Sequence, residues 1–351
     1  MKFQPLIPPD SEPYSSELAA RAARGEAAAQ RALGICYVFG IGVDKDEKEA
    51  LCWVRKGAEQ NHAPAQRSLG AFYFNGIGIE KDEKEAARWI RKAADQGDAP
   101  AQLSLGNCYF NGIGVENDEE EAVRWYRKAA EQGGADAQNI FGFCYRHGNG
   151  VQKDGKEAVR WYRKAAELGH ADALINLAEC YGAGIGVEKD EKEAVRFYRL
   201  AAEQGDAIGE LNLGICYKDG TGVQKNHQEA VRWFRKAAAQ NQANAQGQLG
   251  VCYHKGYGVE KNAQEAVRWF RAAAEQGDEI AEFNLGLCHE EGMGVPKSFI
   301  EAYKWFNVAA AQGFEDAAKA RDKLAKKMSR EDISNAQRLS LEFMEELNGR
   351  K

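Results

Sequence analysis

The chain's 351 residues are 44% hydrophobic and 28% charged, a balance that supports a folded core and argues against long disorder. A formal net charge of −6 offers no field to draw in nucleic acid or anionic lipid, and no apolar run reaches the ~18 residues that would suggest a bilayer span. Glycine is the outlier at 37 residues, and it marks a period: eight consecutive units of 36 residues run from Ala27 to Phe314 without an insertion or deletion. A period of that size means a stacked array rather than the two domains that the length alone would suggest.

Met1–Asp10 hold one lysine, three prolines and no apolar stretch, so no secretory leader is expected there. Within residues 1–26 the predicted element is a degenerate helix over 15–25, because Leu18, Ala22 and Gly25 fall 36 residues before Val54, Ala58 and Asn61. The repeats follow at 27–62, 63–98, 99–134, 135–170, 171–206, 207–242, 243–278 and 279–314. Numbering each from 1 to 36, the pattern predicts helix A over positions 2–13, a glycine loop, helix B over positions 20–34 and a tight turn. Glycine holds positions 14 and 16 in all eight units, as at Gly112 and Gly114, where a loop must close one helix and feed the next. Position 20 carries Asp, Asn or Ser and position 23 carries Glu in all eight, as at Asp118 and Glu121, which reads as a repeated capping box. Gly or Asn at position 35 supplies the left-handed residue that ends helix B. Residues 315–351 lack the glycine loop and read as a closing cap of two helices, 316–328 and 330–347. Ser329 and Asp332 open the second, its stripe is Ile333, Ala336, Leu339 and Phe343, and a frayed tail is expected over 348–351.

Spacing also predicts the core. Positions 3, 7, 10 and 11 of helix A fall on one face, as do positions 24, 27, 28, 31 and 32 of helix B. All seven tryptophans occupy position 27, with Phe197 in the fifth repeat, so they read as packing rather than as a ligand platform. Seven of the eight cysteines occupy position 10, where Phe72 substitutes in the second repeat; they read as small core hydrophobes. Equivalent helices of neighbouring repeats should lie roughly 9–10 Å apart, too far for a disulfide. Cys52 stands where the other repeats have Arg or Lys and should be exposed, which fits a reducing cytoplasm. Arg91/Asp95, Arg127/Glu131, Arg163/Glu167, Arg199/Glu203 and Arg271/Glu275 are expected to pair at i,i+4 on the outer face of helix B.

The run from Ala101 to Gly133, with Leu105-Gly106, Cys108-Tyr109, Gly112, Gly114, Asp118, Glu121 and Trp125-Tyr126-Arg127-Lys128, resembles the Sel1-like repeat. That repeat is a relative of the tetratricopeptide repeat with a longer, glycine-bearing loop. The resemblance extends over residues 27–314, about four-fifths of the chain, and implies an all-α solenoid, a superhelix of stacked hairpins. It also implies proteins that assemble complexes in signalling, quality control and host–microbe contact. The family's cysteine-rich secreted branch pairs two cysteines within each unit, a pattern from which this chain departs. Some cysteine-rich relatives are linked to penicillin binding and hydrolysis, so a β-lactam-hydrolysing enzyme is the alternative to a scaffold.

The residues offer that alternative nothing. No Ser-x-x-Lys, phosphate-loop, His-Glu-x-x-His or Cys-x-x-Cys motif occurs, and the six histidines fall at five different register positions. No catalytic residue, cofactor or metal ligand is expected. Function is sought where the repeats differ from one another, because what stacking requires is what they share. Positions 5, 9 and 12 of helix A vary most, and helix A is expected to line the concave side, flooring a groove on the order of 80 Å long. Its large apolar members Phe74, Phe110, Phe143 and Phe283 are candidate hot spots, with Arg31, Arg67, Arg146, Lys218, His254 and Glu290 as the charged and polar members of the set. Arg31 and Arg67 at one end, against Glu282, Glu290 and Glu291 at the other, would orient a bound segment. The chain is therefore expected to be a cytoplasmic, monomeric scaffold or adaptor that binds a protein or peptide. No membrane insertion is expected, and the acidic Glu179 and Glu290 oppose nucleic-acid binding.

Overall fold

In the computed structural model, residues 13–349 are described, and among them there are nineteen helices and no strand. A cap helix α1 (Ser16–Ala23) comes first. The eight A helices are α2 (Ala27–Phe39), α4 (Ala63–Asn75), α6 (Ala99–Asn111), α8 (Ala135–His147), α10 (Ala171–Ala183), α12 (Ala207–Asp219), α14 (Ala243–Lys255) and α16 (Glu279–Glu291). They alternate with the B helices α3 (Glu47–Glu59), α5 (Glu83–Asp95), α7 (Glu119–Glu131), α9 (Gly155–Glu167), α11 (Glu191–Glu203), α13 (His227–Ala239), α15 (Ala263–Ala274) and α17 (Phe299–Ala311). The closing helices are α18 (Glu315–Ala325) and α19 (Arg330–Gly349), so the tail is still helical at Asn348 and Gly349. The remainder of that tail, Arg350–Lys351, and the segment Met1–Asp10 read as lacking a leader, lie outside the described residues. Two compact units can be distinguished, residues 13–173 with 185–187 and residues 174–184 with 188–349.

The predicted helix ends form as expected at position 20, where the Asp46 carboxylate accepts the Lys48 and Glu49 N–H groups at 2.9 Å. The other half of the expected capping box does not form at Asp46, Asp118 or Asp154. The position-20 N–H groups of these residues instead bond the tyrosine carbonyl at position 11 of their own repeat, as from Asp118 to Tyr109 at 3.0 Å. This leaves the position-23 glutamate available, and it turns to its own helix. Glu121 accepts the indole N–H of Trp125 at 2.9 Å and pairs with Arg124 at 2.9 Å.

Two glycine positions lock the stack. Gly114 lies in the left-handed region at φ 67°, and a methyl there would overlap the Glu83 carbonyl, so the loop of one repeat sits directly on the start of the preceding B helix. At position 8 the reason is packing: a methyl on Gly106 would come within 2.5 Å of the Tyr126 ring. The fifth repeat has Ala178 at this position, and there Tyr198 is only half-buried, whereas Tyr126 and Tyr162 are fully buried. Between the caps, a core cluster joins a B helix to the next A helix and a tryptophan of the following B helix, as Ile90, Ala93, Leu105, Cys108 and Trp125 do. Lysines at position 30 lie over these indoles, Lys128 at 3.7 Å from the Trp125 centroid.

A polar feature runs through this core. Position 4 is a buried glutamine in five repeats, and in four of them its side-chain N–H bonds a carbonyl of the preceding helix, as from Gln102 to Ala94 at 3.2 Å. Its oxygen accepts from the position-34 glutamine of its own repeat, as from Gln132 to Gln102 at 2.8 Å. The same rung recurs at Gln60–Gln30, Gln96–Gln66 and Gln276–Gln246, and with buried glutamates as acceptors at Gln240–Glu210 and Gln312–Glu282. Every rung gives the buried position-4 side chain a hydrogen-bond partner, which spares it the cost of burial without one.

Candidate functional site

Helix A turns positions 5, 9 and 12 away from its own B helix, and the structure divides these residues in two. Ile35, Val38, Ala71, Ile175 and Leu211 are buried, so the stripe is not the continuous open floor expected of it. Helix α2 packs beside α4 and α14 beside α16, and Ile35, Val38 and Ala71 are covered at the first of these seams. All ten candidate residues are half-buried and none is fully exposed.

Their surroundings differ. Phe110 leans on the Tyr126–Phe141 core cluster, and Phe283 packs on Phe306 and Phe314 with centroids 5.6 and 5.3 Å away. Phe74 lies under the Lys81 ammonium at 5.0 Å, and Phe143 lies against the His147 ring at 4.2 Å. Lys218 donates to Gln248 at 3.2 Å. Burial, followed by the charges of Lys255 and Lys261, holds the His254 pKa below its ordinary value.

Three members of the expected charge trend are already engaged within the chain. Arg67 is committed to a buried ion pair with Asp98 at 3.0 Å, and Glu290 pairs with Lys327 at 3.3 Å. Glu282 is fully buried in the polar ladder, where Gln312 donates to both its oxygens at 2.8 and 2.9 Å. The outer face differs as well: Arg91, Arg199 and Arg235 donate to the tyrosine hydroxyls of the next repeat, Tyr109, Tyr217 and Tyr253. The B-helix carboxylates at position 23 pair with arginine at i,i+3 instead, as in Arg160–Glu157 at 3.2 Å.

Position 36 matters to this face and was not singled out from the sequence. It caps helix A of the following repeat: Asp98 accepts the Ala101 N–H at 2.8 Å, and the imidazole Nδ1 atoms of His62 and His170 accept from Ala65 and Ala173 at 3.3 Å. The signal was available, an Asp, Gln or His at position 36 in six of the eight repeats, directly before the next apolar-periodic stretch. His170 Nε2 also contacts Asp136 at 2.9 Å, and that hydrogen bond raises the His170 pKa and lowers that of Asp136. In repeat 3 position 36 is Gly134, which gives α8 no side-chain cap. Beside it opens a cleft of about 200 Å³ between α6 and α8, floored by Pro100, Leu103, Ala129 and Ala137 and rimmed by Arg67 and Asp136.

The cysteines are as expected: Cys52 is exposed, the other seven are buried, and none of the eight forms a disulfide. Burial pushes the Cys108 and Cys144 thiols up to about 12 and those of Cys216, Cys252 and Cys288 to about 11, so these five are protonated at neutral pH and are poor nucleophiles. Among the described residues no helix is long and apolar enough to cross a membrane.

A family model for the Sel1 repeat matches residues 27–62, 63–98, 99–134, 135–170, 171–206, 207–242, 243–278 and 280–314. The chain belongs to the Sel1 repeat family. Its all-α repeat fold is shared with a Sel1 repeat protein from Oxalobacter formigenes, to which it is 31% identical with a TM-score of 0.72 over 92% of this chain and 97% of that one. It is also 31% identical, with a TM-score of 0.50 over 93% of this chain and 86% of the other, to a protective antigen of uropathogenic Escherichia coli strains that displays an SLR fold. No curated protein matches this Sel1 repeat chain by sequence.

Proposed function

We propose that this Sel1 repeat chain is a non-catalytic scaffold that binds a segment of a partner protein on its helix-A face. Sel1 repeat proteins are generally protein-interaction scaffolds. The observation that carries the reading here is the division of labour between faces. The B-helix side is consumed by indole, lysine, glutamate and arginine contacts that repeat from unit to unit, whereas the helix-A stripe changes identity in every repeat and holds the apolar cleft beside Leu103. Rigid scaffolds commonly vary the surface that binds and keep the surface that stacks. The protonated core thiols weigh against the β-lactam-hydrolysing alternative, and turnover of a chromogenic β-lactam is expected to be absent. A cytoplasmic setting and a monomeric state belong to the same proposal; the exposed Cys52 thiol supports the first.

The test is affinity capture from the native organism with the wild-type chain and a Phe74→Ala/Phe143→Ala double variant. These rings rest on Lys81 and His147, so removing them spares most of the core. Loss of the captured partner by a variant that melts normally is expected. Undiminished capture would remove the helix-A face from the proposal.

A further inference from the structure

The helix-A face of the first two repeats contains an unbalanced charge. At position 5 of repeat 2, Arg67 meets the carboxylate at position 36 of the same repeat, Asp98, at 3.0 Å, with both side chains almost wholly buried. Arg31 holds position 5 of repeat 1, but position 36 of that repeat is His62. The Nε of Arg31 donates to the Ser68 hydroxyl at 3.0 Å, and the Ser68 hydroxyl in turn donates to the Pro64 carbonyl at 3.0 Å. Among the described residues no carboxylate lies within ion-pair distance of the Arg31 guanidinium. Asp98 is engaged by Arg67 and acts on Arg31 only from a distance.

The local potential is positive, and two groups report it. The Arg31 pKa is lowered first by burial and then by Arg67, with Asp98 opposing. The His62 pKa is likewise lowered first by burial and then by Arg31, with Asp98 again opposing. Neutral His62 suits its structural task, because its Nδ1 must accept the Ala65 N–H. A half-buried guanidinium that has lost water without gaining an anion carries a penalty that a bound carboxylate would relieve, and its planar fork matches a carboxylate in two-point contact.

We propose that this face recognises an acidic peptide segment, a carboxylate seated on Arg31 where repeat 1 lacks the aspartate of repeat 2 and an apolar side chain entering the cleft beside Leu103. The inference rests on the helix-A face being the partner surface. Position 5 of repeat 1 and position 5 of repeat 3 are two helix spacings apart, about 20 Å, which an extended segment spans in about six residues. The cleft of about 200 Å³ accommodates one leucine- or phenylalanine-sized side chain, and the Asp136 charge on its rim is held by His170. The chain's net charge of −6 gives acidic peptides no long-range attraction, so recognition depends on this local pair of sites.

The experiment uses a random dodecapeptide phage library selected against the full chain, with winning peptides then measured by fluorescence anisotropy. Enriched peptides should share an Asp or Glu about six residues from a Leu, Phe or Met. Replacing that acid by its amide should weaken binding at least tenfold. His62→Asp places the missing carboxylate beside Arg31 from within, so it should cause the same loss while leaving the melting temperature unchanged or higher. Combining His62→Asp with the amide peptide should cost no more than either change alone. Winners without an acidic position, or winners that bind His62→Asp as tightly as the wild type, would overturn the acidic inference. If those winners still lose affinity to Leu103→Gln in a chain that melts normally, only the acid preference has failed. If they ignore both variants, or if no peptide is enriched, the helix-A reading fails with it.

Discussion

Helices α6 and α8 occupy the same place in consecutive repeats and are built to different standards. The first turn of α6 is capped by Asp98, and its buried Gln102 has both ends bonded, one to the Ala94 carbonyl at 3.2 Å and one to Gln132 at 2.8 Å. Helix α8 begins on Gly134 with no side-chain cap, and although Gln138 still reaches the Ala130 carbonyl at 3.2 Å, its oxygen is buried without a hydrogen-bond partner. The cause lies at position 34, where Leu168 replaces the glutamine donor and stands 60% exposed. The fold tolerates the loss of a cap and of a rung in one repeat because its neighbours hold the frame. The cleft at Gly134 is the space left where a capping side chain is missing.

The largest way to break the comparison is to damage what both repeats share. Gly150 lies at φ 63°, and a methyl there would overlap the Glu119 carbonyl, so Gly150→Ala should cost about 3 kcal/mol or more in urea unfolding. Asp98→Ala should follow at about 3 kcal/mol, since it removes the α6 cap and leaves Arg67 in a largely buried place without its anion. Repair should act in the other direction. Gly134 already has an extended backbone with φ −66° and ψ 118°, and an added Cβ would make only ordinary contacts at 3.6 and 3.7 Å. Gly134→Asp should therefore gain about 1 kcal/mol by capping α8, and it should narrow the cleft and weaken any apolar ligand there.

A smaller effect comes from the buried carboxyls of the ladder. Burial raises the Glu210 pKa, opposed by the Gln240 hydrogen bond and by Lys236, while Asp206 adds to the rise. The folded chain then binds this proton more tightly than the unfolded chain. Its contribution is fully present below the ordinary carboxylate range and is lost as pH rises through the elevated folded value. Glu210→Gln should flatten that part of a melting-temperature profile against pH. An unchanged profile would mean that Glu210 binds its proton equally well in the folded and unfolded chain.

The periodic part of this architecture was legible in the sequence. The 36-residue period, the position-20 caps, the left-handed residue at position 35, and the tryptophan and cysteine core slots all form where spacing predicted them. What escaped depends on contacts far apart in sequence. Nothing in the apolar spacing singles out glutamine at position 4, whose partner at position 34 is thirty residues on, and Arg67 looked like a groove residue because Asp98 is 31 residues away. Glu121 looked like half of a capping box because the competing carbonyl of Tyr109 approaches only once the glycine loop has closed. Of the candidate site, the register was legible and the burial was not, since neighbouring A helices cover part of the stripe.

The central claim is that the rung between positions 4 and 34, present in six of the eight repeats, stabilises the stack. Its most direct test is the mirror pair Leu168→Gln and Gln132→Leu, compared by urea unfolding. The first should supply the missing donor to Gln138 and raise stability by about 1 kcal/mol, and the second should strand the Gln102 oxygen and lower it by about 1–3 kcal/mol. If Leu168→Gln were neutral or destabilising while Gln132→Leu were tolerated, the rungs would be incidental to the stack and the account would be wrong.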